Sequence, residues 1–203
     1  MKQCIVLLAL GIGLGIGSQI SQAGIMVFTA NLSGPNESPP NASLGTGFAQ
    51  VTFNTGLHTM RVEASFMGLT GLTTASHIHA ATTVPGVGTA GVATQTPSFL
   101  GFPLSVTFGS MDTTFDMTMA SSYRAGFITA NGGTPTTAEA ALLSSLLAGT
   151  AYFNIHTSAF TGGEIRGFLH AVPEPTSLAS LAIGAGCVLL GRRFVKRKRM
   201  ASR

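Results

Sequence analysis

Through the middle of this chain, apolar and polar residues alternate with a period of two, in short runs separated by turn-forming clusters. The runs cover residues 25–32, 47–53, 59–66, 75–80, 104–108, 151–157 and 164–169. Alternation at that period puts apolar side chains on one face of a strand and polar ones on the other. Between the runs lie Ser33-Gly34-Pro35-Asn36, Asn54-Thr55-Gly56 and Pro85-Gly86-Val87-Gly88, all of them turn chemistry. The rhythm predicts an all-β antiparallel domain, an immunoglobulin-like or Greek-key sandwich. One segment departs from it. Thr136 and Glu139 have the spacing of a capping box, residues 140–147 are good helix formers, and Gly149 is placed as a stop, so one short helix is expected before the penultimate strand. No repeat recurs at a fixed period.

The two ends follow different rules. Lys2 precedes an uncharged run over 5–16, and Ser21-Gln22-Ala23 supplies small residues for cleavage, so residues 1–23 read as a secretory signal peptide. Cys4 lies ahead of the apolar run rather than at its cleavage end, which argues against lipoprotein acylation. At the other end Pro173-Glu174-Pro175 is followed by an apolar segment over about 177–191 and then by Arg192, Arg193, Lys196, Arg197, Lys198 and Arg199. The apolar segment is shorter than the roughly 20 residues that span a bilayer comfortably, and the basic cluster would stay cytoplasmic. Residues 172–203 resemble the PEP-CTERM sorting tail of bacterial surface proteins, in which a motif, a hydrophobic segment and a basic end occur in that order. That resemblance implies an exosortase-type processing enzyme as a partner, transient residence in the inner membrane, and delivery to the cell surface or extracellular matrix of a Gram-negative-type bacterium. An uncut membrane anchor is the alternative. Either way the preceding residues lie outside the inner membrane.

Removing both ends changes the charge and the cysteine count. Of 11 basic residues only Arg61, Arg124 and Arg166 belong to 24–171, against Glu37, Glu63, Asp112, Asp116, Glu139 and Glu164, so the body carries 3 − 6 = −3. The basic pI is thus a property of the tail, and no nucleic-acid site is expected. Neither cysteine, Cys4 or Cys187, falls in the body, which excludes a disulfide framework. The fold must rest on its core or on a metal. With so few charges, solubility depends on Ser, Thr, Asn and Gln, as suits a protein among surface polysaccharides or other surface proteins. Asn-x-Ser occurs at Asn31, Asn36 and Asn41, read here as turn residues.

The residues that could carry chemistry are histidines. His77 and His79 are two apart, so a strand presents both on one face and Ile78 on the other. In 151–157 the same alternation groups Tyr152, Asn154 and His156 against Phe153, Ile155 and Thr157. If the two strands share a face, three imidazoles converge, and Glu164 could add an oxygen ligand or orient an imidazole. Copper or zinc suits these ligand types. The competing reading is that the histidines simply bond to neighbouring backbone. His58, in a turn, and His170, at the domain end, do not join the group. Glu164 and Arg166 are also two apart, which fits a structural ion pair with a neighbour. Nucleophilic catalysis finds no support, since the body has no cysteine and no Gly-x-Ser-x-Gly, and no two carboxylates form a glycoside-hydrolase motif.

Several motifs in order carry a second resemblance: Leu32 through Pro40, Gly45-x-Gly47, Phe66-Met67-Gly68-Leu69-Thr70, His77-Ile78-His79, Tyr152 through Thr157, and Gly162-Gly163-Glu164-Ile165-Arg166-Gly167. Together they resemble the CHRD domain, named from chordin, over about 25–169. That resemblance implies an immunoglobulin-like sandwich related in architecture to copper-zinc superoxide dismutase, with no settled enzymatic activity. The chain has the His-x-His strand but lacks the dismutase's full histidine set and its cysteine pair. The reading is therefore a non-enzymatic, exported binding or structural module at 24–171, with an extracytoplasmic copper- or zinc-binding protein as the alternative.

Overall fold

A computed structural model describes residues 24–173. The expected leader at 1–23, Glu174, Pro175, the apolar segment at 177–191 and the basic end lie outside the described residues; Pro173 is the last residue within them. Among the described residues no helix is long and apolar enough to cross a membrane.

Eight strands form one antiparallel sheet: β1 (Ile25–Ser33), β2 (Thr46–Asn54), β3 (Thr59–Met67), β4 (Thr73–His79), β5 (Gly109–Asp116), β6 (Tyr152–Thr157), β7 (Ile165–Phe168) and β8 (His170–Ala171). The spatial order is β4-β6-β7-β1-β2-β3-β5, with β8 added alongside β1. The chain thus leaves β3 for the far edge at β4 and comes back to β5, and the sheet curls into a half-barrel. Phe99 records the curl. Its ring lies 5.2 Å from that of Phe115 on β5 and 6.0 Å from that of Phe153 on β6, so the two halves of the sheet face each other across one core. The all-β sandwich class read from alternation is the class observed.

Strands β1 to β3 follow the period-two pattern closely. Phe28, Ala30 and Leu32, then Ala49, Val51 and Phe53, then Met60, Val62, Ala64 and Phe66 point inward and are buried. The β2–β3 turn is set by Asn54, whose Oδ1 accepts the backbone N–H of Gly56 and of Leu57 at 3.0 Å each, an arrangement that Asn side chains favour. The other half differs: in β4, β6 and β7 most residues are buried, on both faces. A second, polar layer lies there beneath the loops around 36–38, 88–97 and 161–163, and it holds the candidate site.

Two expectations are corrected. Residues 104–108 are not a strand. Leu104 and Phe108 are exposed, and this segment instead bonds to the β4 region through Ser105 N to Thr73 O at 2.8 Å and Thr73 N to Val106 O at 2.9 Å. The strand is the next segment, β5, which has weak apolar patterning because its outer face is Ser110, Asp112, Thr114 and Asp116 and only Met111 and Phe115 are buried large residues. The helix is also longer than expected, α2 (Pro135–Leu147), and its cap is Thr134 rather than Thr136. Thr134 Oγ1 accepts Thr137 N at 3.2 Å while Thr134 N donates to Thr137 Oγ1 at 3.3 Å, and Pro135 occupies the first turn, where its missing N–H costs nothing. Glu139, freed from the cap, accepts from His58 Nδ1 at 2.8 Å. Gly149 ends the helix as expected, with φ +66. A six-residue helix, α1 (Ala125–Ala130), precedes α2 without having been foreseen.

Candidate metal centre

Antiparallel pairing of β4 with β6 sets Ala75 opposite His156, His77 opposite Asn154 and His79 opposite Tyr152. His77, His79 and His156 therefore share one face, with Ile78, Phe153 and Ile155 in the core on the other. The ring centroids are 5.9 Å apart for His77 and His79, 5.4 Å for His77 and His156, and 5.8 Å for His79 and His156. One nitrogen from each lies within 4.8 Å of the others.

The other nitrogen of each ring has a fixed task. His77 Nε2 lies 2.7 Å from Pro97 O, His79 Nδ1 2.9 Å from Ala90 O, and His156 Nδ1 3.0 Å from Thr161 O. A carbonyl can only accept, so these nitrogens carry the protons, and the lone pairs sit on His77 Nδ1, His79 Nε2 and His156 Nε2. Those three atoms are buried and have no hydrogen-bond partner. Burial, only partly offset by the carbonyl of Pro97 for His77 and that of Ala90 for His79, lowers both rings to about 4; it lowers His156 as well, against the carbonyl of Thr161. All three are neutral imidazoles at neutral pH. Backbone carbonyls that orient neutral imidazoles with their free lone pairs converging are the usual second layer around a histidine-bound metal. An ion at about 2.0–2.1 Å from each nitrogen would need ligand separations near 3.4 Å in a tetrahedral site, shorter than the 4.8 Å within which the three nitrogens lie.

Glu164 is not brought into the group. Its carboxylate is turned to the Thr157 side of β6, the face opposite His156, and accepts Ser43 Oγ at 2.6 Å, Thr157 Oγ1 at 2.7 Å, Gly71 N at 3.1 Å and the amide of Thr70. Burial favours its protonated form, but these four donors outweigh that and hold it below the usual carboxylate range. With its acceptor sites engaged on the wrong face, the carboxylate is a latch between three loops rather than a metal ligand. His58 pairs with Glu139, and His170 lies exposed in β8, so both stay outside the cluster as expected.

Alternation did not reveal how far the polar layer extends beyond the histidines. Tyr152 stacks on His79 with centroids 4.8 Å apart and planes at 6°, and the Arg166 guanidinium lies over the Tyr152 ring at 4.7 Å from its centroid. Arg166 does not pair with Glu164. It donates from Nε to Asn36 O at 2.6 Å and from Nη1 to Gly88 O at 3.0 Å, and lies 3.7 Å from Glu37. Burial pushes the Glu37 carboxyl up to about 7 despite Arg166 and the Ser38 amide, and its Oε1, like Asn154 Oδ1, is buried without a partner. Five of the six such atoms among the described residues therefore lie in this one layer; Ser76 Oγ is the sixth. The signal in the sequence was present at residue 37, a carboxylate in a Pro-rich turn, but the contact with Arg166 spans about 130 positions.

The CHRD domain family matches residues 28–169, which include the whole candidate centre. The chain belongs to the CHRD family. Membership in the CHRD family points to an extracellular or secreted domain. No curated protein and no solved structure gives a match. What this CHRD domain does therefore has to be argued from its own polar layer.

Proposed function

We propose that this CHRD domain is an exported, non-catalytic module that binds one copper or zinc ion through His77 Nδ1, His79 Nε2 and His156 Nε2. One observation carries the reading: three buried, neutral imidazole nitrogens converge with no hydrogen-bond partner from the protein. A buried polar atom left unsatisfied costs roughly 1–3 kcal/mol, so three converging lone pairs are expensive unless an ion satisfies them together. The same rings are held from behind by carbonyls, which fixes the nitrogen that each turns to the centre. In the wider setting we place the module on an exported chain, released from its leader after Ala23 and sorted through Pro173-Glu174-Pro175 to the cell surface or matrix. The order of motif, apolar segment and basic end supports that placement.

The test is metal titration of the full chain carrying Cys4→Ser and Cys187→Ser, which removes competing thiols. About one equivalent of copper or zinc should bind. His77→Ala and His156→Ala should each weaken binding by about 100-fold or more, because three ligands are too few to lose one. His58→Ala should change nothing. Undiminished affinity in the double variant His77→Ala/His79→Ala overturns the reading.

A further inference from the structure

The charge around the three imidazoles is one-sided. Every ring N–H is held by a backbone carbonyl, so no carboxylate backs any ligand. Glu164 faces the opposite side of β6, bound by four donors. Glu37 is beside Arg166 rather than beside a histidine. Cations, by contrast, flank the cluster. Arg166 lies over the ring of Tyr152, which stacks on His79. Arg124 bonds through its backbone N to Ala93 O, and its Nη1 lies 3.9 Å from where a Cβ would stand on Gly91, next to the Ala90 carbonyl that holds His79. Two guanidinium charges thus set the local field beside the cluster, and no carboxylate touches one of its ring nitrogens. The same field opposes a bound ion in proportion to its charge, and so penalises a divalent ion twice as heavily as a monovalent one.

The coordination is also restricted. The three lone-pair nitrogens are sealed from solvent, and no fourth His, Cys, Asp or Glu joins the group among the described residues. Zinc almost always completes four positions, taking water or substrate where the protein supplies three. A buried site with three neutral nitrogens instead suits a d10 monovalent ion that accepts three-coordination. Imidazole softness does not by itself choose between copper and zinc. The choice falls to charge and coordination number.

Resting on the metal-binding reading above, we infer that this centre holds Cu(I) in preference to zinc. The measurement uses the same cysteine-free full chain. Cu(I) affinity is taken under anaerobic ascorbate by competition with bicinchoninate, and zinc affinity by competition with 4-(2-pyridylazo)resorcinol. One equivalent of Cu(I) should bind at least about tenfold more tightly than zinc, and His77→Ala should abolish it. Arg124→Glu, an exposed change, should raise zinc affinity more than Cu(I) affinity and so narrow the ratio. Zinc binding as tightly as Cu(I), in a site still lost on His77→Ala, overturns the preference and leaves the metal reading standing. A ratio unmoved by Arg124→Glu overturns the charge argument on which the preference stands. Binding of neither ion overturns the metal reading itself.

Discussion

At the scale of single residues, the buried carboxylates of Glu164 and Glu37 behave oppositely because one is satisfied and the other is not. Glu164 accepts from Ser43, Thr157, Thr70 and Gly71, so Glu164→Ala would strand four donors. It should cost about 3 kcal/mol or more in thermal or urea unfolding, while metal affinity of the folded protein stays unchanged. A ligand role would instead show as weakened binding. Glu37 is raised to about 7 from an ordinary 4.5, so the folded state takes up its proton first and stability from this group falls as pH rises from 4.5 through 7. His77 and His79, lowered to about 4 from 6.5, act the other way: the unfolded chain binds protons that the folded one refuses, and stability falls as pH drops from 6.5 towards 4. In metal-free protein Glu37→Gln should therefore gain melting temperature relative to the parent between about pH 5 and about pH 8. A constant difference across that range would show that Glu37 titrates normally. Of these residues the histidines were legible in the sequence, since a strand period of two fixes which side chains share a face. The roles of Glu37 and Glu164 were not, because each depends on loops distant in the chain.

At the scale of elements, legibility tracked the strength of the apolar alternation. The strands β1, β2 and β3 carry three or four buried apolar residues each, and the sequence placed them within a residue or so. At β5 the polar outer face and Thr113 between Met111 and Phe115 diluted the pattern, and the more apolar but exposed 104–108 drew the prediction instead. The helix α2 was found, but its start was misread because two threonine-based caps were possible and Glu139 matched the commoner one. Pro135 decides the matter, being favoured at the first helical position and unable to sit deeper without cost. Thr134→Ala should thus lower stability by about 1 kcal/mol, a shift of roughly 2–4 °C in melting temperature for a domain of this size. Thr136→Ala should leave it nearly unchanged.

At the scale of the whole molecule, the described body contains its own closed core, with Phe99 packed between strands from both halves of the sheet. The proposed leader and sorting tail carry a prediction of their own. Intact-mass measurement on protein from a native host should show loss of the first 23 residues and of the segment beyond Pro173-Glu174-Pro175. A mature product that retains Arg203 would fit an uncut anchor and would remove the processing enzyme from the account.

The sequence by itself determined the strand faces, the antiparallel all-β class and the grouping of His77 with His79, because all three follow from local alternation. It also determined that no disulfide joins the body, since both cysteines lie outside it. Only the tertiary structure decided that β6 lies beside β4, so that His156 completes the group, and that Glu164 turns to the other face. Only it decided that Arg166 stacks on Tyr152 and that loops from three parts of the chain seal the polar layer. The physical reason is the range of the interactions. Alternation is a property of neighbouring residues, whereas the pairing of strands over 70 positions apart is set by the packing of the whole core.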